Sequence, residues 1–90
     1  MQFLEEDRRL YLEEDGKTYA ESTWSNARDY VMIVGHTFVA DSHRGEGLAV
    51  KLVEAVADKA RAEQKKIIPL CPFAKKEFEK KEQYADVWKK

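Results

Sequence analysis

The chain has 90 residues, enough for one domain spanning residues 1–90 but too few for a second. Hydrophobic residues make up 43% of it, so a modest core can form. Charged residues make up 37%, yet the net charge is only −1. This balance argues against a dedicated nucleic-acid-binding protein, which usually carries a strong basic excess.

The last third of the chain is locally rich in lysine. These side chains are Lys65, Lys66, Lys75, Lys76, Lys80, Lys81, Lys89 and Lys90. RNA binding by this end would predict an affinity that falls steeply with salt. The aromatic residues there are too few, and the net charge too low, to favour that interpretation.

A single cysteine, Cys71, excludes an intrachain disulfide and a cysteine-rich zinc site. The two histidines lie in different elements and do not have zinc-ligand spacing, so we expect no metal. A cytoplasmic location is expected, since the charged N-terminus is unlike a signal peptide. No apolar run approaches the ~20 residues of a membrane span, so we expect no membrane partner. We expect a monomer or a weak homodimer.

The first half of the chain favours β-structure. The runs 8–15 and 17–24 flank Asp15-Gly16, a strong signal for a hairpin turn. Residues 25–29 are polar and are predicted to form a turn. On one face of the second run, alternation places Thr18, Ala20, Ser22 and Trp24.

The longest β-favouring run covers residues 30–39 and is rich in branched and aromatic side chains. Gly35 inside it indicates a bulge, or a place where something approaches the backbone closely. Alternation puts His36 and Phe38 on one face of this strand.

A change of period follows, with apolar residues three and four apart from residue 46 to residue 64. This amphipathic stripe predicts a helix packed on a sheet, and consists of Leu48, Ala49, Leu52, Val53, Ala55, Val56 and Ala60. A short strand at 67–70 and a charged helix at 74–81, with Phe73 and Phe78 inward, come next. The predicted class is α+β, with a sandwich-like arrangement: antiparallel strands lead into a parallel β-α-β unit over 31–70.

The junction between strand and long helix is the most informative segment. Arg44, Gly45 and Gly47 lie where one ends and the other begins. Several backbone N–H groups at a helix N-terminus converge on one spot and favour an anion, a pyrophosphate in particular. The alternative is an ordinary strand-to-helix turn that uses glycine for tight geometry.

Residues 44–49 read R-x-x-G-x-A, and this pattern is similar to the coenzyme A pyrophosphate loop of the GCN5-related N-acetyltransferases. Residues 30–89 resemble in particular the small YjdJ-type branch of acetyltransferase-like proteins. Pro69-Leu-Cys-Pro-Phe73 is the most specific string in this resemblance. Residues 8–24 fit the opening hairpin of the branch.

The resemblance implies a minimal fold of this family, in which two parallel strands splay and acetyl-coenzyme A lies between them. Backbone groups of Phe38 and Val39 would receive the pantetheine arm, and the amides of 45–49 would cradle the phosphates. Arg44 would add positive charge, although a solvated surface arginine is the alternative. The full set of implied cofactor contacts is Phe38, Val39, Arg44, Gly45, Glu46, Gly47, Leu48, Ala49, Cys71 and Phe73.

Many family members carry N-x-x-A-x-x-x-Y after the second parallel strand, and the tyrosine often protonates the departing thiolate. Here Ala74 matches, Cys71 replaces the asparagine and Phe78 replaces the tyrosine. Phenylalanine has no proton to give, so the usual general acid is absent from its usual place. Cys71 could act as proton donor or as nucleophile. The alternative for Cys71 is a small buried hydrophobe.

A general base must reach the acceptor amine and have a suitable pKa. His36 and Glu21 are the candidates, although a hydrogen-bonded structural role is the alternative for His36. His43 in the loop is expected to be exposed.

The sequence therefore predicts an acetyl-coenzyme A-binding protein that transfers acetyl to an unidentified amine. The alternative is a non-catalytic acyl-coenzyme A sensor or interaction module. The resemblance implies that the acceptor site is open or built by a partner, because the chain is too short for the extra elements of larger relatives.

Overall fold

The computed structural model describes residues 3–89 of the chain, so predictions that touch Met1, Gln2 and Lys90 lie outside the described residues. The β-strands are β1 (Leu4–Glu6), β2 (Arg9–Glu14), β3 (Lys17–Arg28), β4 (Val31–Val39) and β5 (Lys66–Pro69). The α-helices are α1 (Leu48–Ala62) and α2 (Pro72–Lys80), and short 3-10 helices cover Asp41–His43 and Glu82–Val87. Within the described range, no helix is long and apolar enough to cross a membrane.

The five strands form one sheet in which their order follows the chain, β1-β2-β3-β4-β5. Neighbouring strands are antiparallel except β4 and β5, which pair in parallel after the α1 crossover. Asp15 and Gly16 have φ of 51° and 78°, the left-handed pair that a tight hairpin turn requires. The predicted hairpin and the parallel β-α-β unit are both confirmed.

Two parts of the sheet differ from the prediction. β1 was not predicted, because a three-residue, fully exposed edge strand leaves no periodic signal. The turn predicted over 25–29 is wrong for residues 25–28: β3 continues to Arg28, Ser25 and Asn26 pair with β4, and the turn begins only at Asp29. Pairing with a long neighbouring strand outweighs the polar composition of this segment, as β-propensity depends strongly on context.

The core lies on one face of the sheet, under α1 and α2. α1 buries Leu48, Leu52, Val53, Val56, Ala57 and Ala60, most of which the helical period predicted. α2 contributes Ala74 and Phe78 to the same cluster, and β2, β3 and β4 contribute Leu10, Leu12, Ala20, Trp24, Met32 and Val34.

A bulge in β3 changes which side chains reach this core. Leu12 pairs with Ala20 but Glu13 pairs with Thr18, so Tyr19 is an extra residue. Thr18 therefore lies on the opposite face from Ala20, and the prediction that they share a face is wrong. A bulge reverses the side-chain alternation beyond it, and simple periodicity does not foresee this.

The opposite side of the sheet, which we call the helix-free face, bears Tyr11, Glu21, His36 and Phe38. Cross-strand pairing sets this face, because Glu21 is directly opposite both Tyr11 and Phe38. Of the elements described, both α-helices pack on the other face. Phe38 is accordingly 38% exposed.

The C-terminal segment closes the structure against β5 and α1. Trp88 forms a parallel bridge to Ile67, and the Lys89 N–H donates to the Ile67 carbonyl at 2.8 Å. Arg61 on α1 donates to both carboxylate oxygens of Asp86, at 2.7 and 3.0 Å. These contacts place buried Tyr84 and Val87 in the core.

Candidate functional site

The strands β4 and β5 pair over only half the length of β4. Val31–Val34 face Lys66–Pro69, and β5 then ends while β4 continues to Val39. The carbonyl of Val34 accepts from two successive N–H groups, those of Leu70 at 3.0 Å and Cys71 at 3.1 Å. Pro69 has no N–H to extend the ladder. The two strands therefore separate at Val34, and a gap opens beside residues 35–39.

Gly35 determines the direction in which the backbone N–H and C=O groups of the following β4 residues point. Trp24 pairs with Val34 and Thr23 with His36, so Gly35 is the extra residue of a bulge. The Ala40 N–H donates to Tyr19 on β3 at 2.8 Å. By alternation, the backbone groups of Phe38 also face β3, whereas those of Thr37 and Val39 face the gap.

The loop from β4 to α1 ends in two glycines with left-handed backbones. Gly45 has φ of 89° and Gly47 has φ of 74°, values that side chains with a Cβ rarely adopt. The first helical hydrogen bond of α1 runs from Lys51 N–H to the Gly47 carbonyl. Gly47 at the N-cap makes no side-chain capping bond.

This geometry leaves a run of backbone donors unused. Among residues 3–89, the N–H groups of residues 45–50 have neither a backbone nor a side-chain acceptor. The positive end of the α1 dipole lies at the same point. We call residues 45–50 the amide nest; an anion placed there would satisfy several donors at once.

A cleft of about 500 Å³ lies beside the amide nest, between the end of β4 and the start of α2. Its lining residues are Thr37, Val39, His43, Arg44, Gly45, Gly47, Leu48, Ala49, Val50 and Phe73. Seven of the ten cofactor contacts predicted from the sequence thus surround one cavity. Phe38, Glu46 and Cys71 do not line it.

Arg44 lies at the mouth of this cleft with its side chain 70% exposed. Its Nε is 3.0 Å from Asp41 Oδ1 and donates to the Val39 carbonyl at 3.4 Å. The guanidinium is therefore held over the gap edge of β4, next to the amide nest.

Cys71 immediately precedes α2, at the point where β4 and β5 separate. Cys71 is 7% exposed and belongs to the core cluster on the helix side of the sheet. Phe78 is 3% exposed and stacks on Tyr84, with ring centroids 5.0 Å apart. Position 78 is thus filled by a core ring without a hydroxyl.

His36 lies on the helix-free face, away from Cys71. Its Nε2 is 3.4 Å from Glu21 Oε2, and half of its side chain is exposed. Arg9 donates to the other Glu21 oxygen at 2.7 Å. The hydrogen bond to Glu21 raises the pKa of Arg9, so the guanidinium stays charged.

Three lining residues were not identified from the sequence: Thr37, His43 and Val50. Thr37 has a buried hydroxyl without a partner among the described residues. Its position two residues before Val39 was the available signal, because alternation puts both on one face. His43 was expected to be exposed, but it stacks on Tyr19 with ring centroids 4.0 Å apart and is largely covered. That contact depends on the β3 bulge, which the sequence does not reveal.

Comparison with known proteins agrees with this geometry. Residues 9–87 match the family model described as GCN5-related N-acetyl-transferase. No curated protein matches the chain significantly. A GCN5-like protein from Staphylococcus aureus, described as a candidate N-acetyltransferase and solved by NMR, is 31% identical. The match covers 98% of this chain and 87% of that one, with a TM-score of 0.82.

Two larger proteins share the fold over part of their length. The ribosomal-protein-alanine N-acetyltransferase of Brucella melitensis is 26% identical, with 79% of this chain and 59% of that one covered and a TM-score of 0.60. A protein from Salmonella typhimurium, solved with its cofactor acetyl-CoA, is also 26% identical, with coverages of 66% and 37% and a TM-score of 0.52. This chain thus spans less than two thirds of either protein. Because the family model covers most of the sequence, the chain belongs to the GCN5-related N-acetyltransferase family.

Proposed function

We propose that this protein binds acetyl-coenzyme A and transfers its acetyl group to an amine. The observation that carries the proposal is the amide nest of residues 45–50, whose donors have no acceptor within the described part of the chain and border a cleft of about 500 Å³. A pyrophosphate supplies acceptor oxygens in the number and charge that such a nest favours. The Salmonella neighbour was solved with acetyl-CoA, which supports the same ligand class here.

The gap edge of β4 suits the pantetheine arm. An amide-bearing chain can add to an open strand edge by backbone hydrogen bonds. Thr37 and Val39 offer those groups, while the Phe38 backbone is directed at β3. Arg44 covers the Val39 carbonyl at 3.4 Å and would have to move toward the phosphates when the arm binds.

The bound ligand supplies an activated acetyl thioester, and Cys71 and His36 are the side chains assigned to chemistry. Cys71 is held at the branching point of the two strands and precedes the N-terminus of α2. A thiol there can donate a proton or act as nucleophile. His36 is the assigned base for the amine, because it flanks the gap and is half exposed.

Reversing the charge at Arg44 tests ligand binding. Arg44→Glu should abolish coenzyme A binding in calorimetry, because it places an anion beside the phosphates while leaving the core untouched. Arg28→Glu is a matched control, since Arg28 is exposed at the far end of β3. Unchanged affinity in Arg44→Glu would refute the assignment of the nest.

A second candidate, a non-catalytic acyl-coenzyme A sensor, is favoured by Phe78, which leaves the usual acid position without a hydroxyl. Labelled acetyl-CoA incubated with a panel of amines separates the two functions. Turnover that is lost in Cys71→Ala supports the enzyme with Cys71 in the reaction. Saturable binding without turnover supports the sensor.

A further inference from the structure

The Thr37 hydroxyl is a buried polar group that lacks a hydrogen bond in the structure. Its Oγ1 is shielded from solvent and has no partner among residues 3–89. A buried hydroxyl without a partner is unfavourable, so such groups in folded proteins usually bond to a water molecule or a ligand. Thr37 lines the cleft beside the amide nest, so a ligand that completes this hydrogen bond would enter through that cleft.

Thr37 occupies the innermost position at which the described strand β4 has an open edge. It pairs with the buried Ser22 on β3, so its side chain lies on the helix side, while its backbone groups face the gap. The next gap-facing position toward the start of β4 is Val34. Its carbonyl already accepts from the N–H groups of Leu70 and Cys71, at 3.0 and 3.1 Å. A ligand that follows β4 inward from the amide nest therefore has to end beside Thr37.

The two ends of the cleft differ in their side chains. Arg44 and His43 lie at the outer end, immediately before the amide nest in the chain. Apart from Thr37, the other side chains that line the described cleft are hydrocarbon: Val39, Leu48, Ala49, Val50 and Phe73. A hydroxyl in such surroundings meets little competition from water. One hydrogen bond to it therefore discriminates well between ligands with and without an acceptor group.

The inner end of the proposed ligand carries a matching acceptor. Acetyl-coenzyme A ends in a thioester, whose carbonyl oxygen accepts hydrogen bonds, whereas free coenzyme A ends in a thiol, which is only a weak donor and acceptor. A pantetheine arm paired with the strand edge would use the backbone groups of Thr37 and Val39. The side-chain hydroxyl of Thr37 would then remain for the thioester, and it can rotate to donate its proton.

We propose that the Thr37 hydroxyl donates a hydrogen bond to the thioester carbonyl oxygen, and that the site thereby selects acylated over free coenzyme A. This inference rests on the proposed binding of acetyl-coenzyme A and adds the residue that recognises its acyl group. It applies to both candidate functions. A transferase releases its product more readily when that product lacks the carbonyl, and a sensor has to distinguish the two forms.

Calorimetry with two matched ligands, in the absence of an acceptor amine, tests the inference. The ligands are acetyl-coenzyme A and S-ethyl-coenzyme A, in which a CH₂ group replaces the carbonyl. Wild type should bind acetyl-coenzyme A about fivefold to tenfold more tightly, the difference that one hydrogen bond makes. Thr37→Val has a similar shape without the hydroxyl and should bind both ligands as wild type binds S-ethyl-coenzyme A. Thr37→Ser keeps the hydroxyl and should retain the preference.

Urea denaturation of the free protein is the second measurement. Because the hydroxyl has no partner among the described residues, Thr37→Val should be at least as stable as wild type. This result would also show that the variant is folded. A clear loss of stability would show that the hydroxyl is already hydrogen-bonded in the free protein, and the inference would be overturned.

Three further results would overturn the inference: equal affinity of wild type for the two ligands, a preference that persists in Thr37→Val, or an equal loss of affinity for both ligands in that variant. In each case wild type still binds coenzyme A derivatives, so the proposed function stands. If neither ligand binds wild type, the proposed function fails and the inference fails with it.

Discussion

At the scale of single residues, the loop before α1 depends on backbone conformations rather than on side-chain contacts. Gly45 and Gly47 are both left-handed, and a Cβ at either would meet no atom of residues 3–89 within 4 Å. A larger side chain would therefore fit at both positions, and it is the positive φ that favours glycine there. The sequence revealed these two positions because glycine spacing at a strand-to-helix junction is a local signal.

Gly47→Ala should lower the free energy of unfolding by about 1 kcal/mol, because a left-handed conformation penalises a Cβ. Urea denaturation measures the change. Gly35→Ala is the matched control: its φ lies outside the left-handed region and its surroundings are open, so its stability should equal or slightly exceed wild type. A larger loss at position 35 than at position 47 would contradict this explanation.

At the scale of elements, the C-terminal segment is attached to α1 by charge as well as by packing. The hydrogen bond from Arg61 holds the pKa of Asp86 below its usual range. A carboxyl with a depressed pKa contributes stability above its unfolded pKa, and that stability is lost as the pH falls through its folded pKa. The attachment of this segment should therefore weaken in acid.

Asp86→Asn should be less stable than wild type at pH 7, and the difference should shrink as the pH falls below about 4. Urea unfolding at a series of pH values measures it. Asp29→Asn removes a carboxylate from the exposed β3–β4 turn and should track wild type throughout. A constant deficit in Asp86→Asn down to pH 2 would show that the ion pair is not its cause.

The elements that the sequence predicted well are those with a strong internal period. Leu48, Leu52 and Val56 repeat at helical spacing, and the Asp15-Gly16 turn carries its own signal. Residues 25–28 could not be predicted, because only pairing with β4 makes them a strand. Thr18 was assigned to the wrong face, since the bulge at Tyr19 leaves no mark in the local composition.

At the scale of the whole molecule, both helices cover one face of the sheet and the candidate cleft lies at one end of it. Seven predicted contacts meet at that cleft: six come from the contiguous segment 39–49, whose motif is local, and Phe73 joins them from α2. The Glu21–His36–Arg9 network joins three strands and depends on their register, which no single segment encodes.

Binding at the cleft should stabilise the entire fold. Coenzyme A at one hundred times its dissociation constant should add about 2.7 kcal/mol to the free energy of unfolding and raise the thermal midpoint. Pantetheine at the same concentration should add much less, because it lacks the pyrophosphate that the amide nest is proposed to hold. If both ligands raised the thermal midpoint equally, the amide nest would not contribute to the binding affinity.

The order of strands along the sheet has a consequence for how the molecule assembles. β1 to β4 are joined in succession by short turns, so the contacts between them can form early in folding and at low cost in chain entropy. β5 can pair with Val31–Val34 only after the fifteen-residue helix α1 has formed the crossover between the two strands. We therefore expect the pairing of β4 with β5 to be the last part of the sheet to form during folding, and the first to open when the chain is strained.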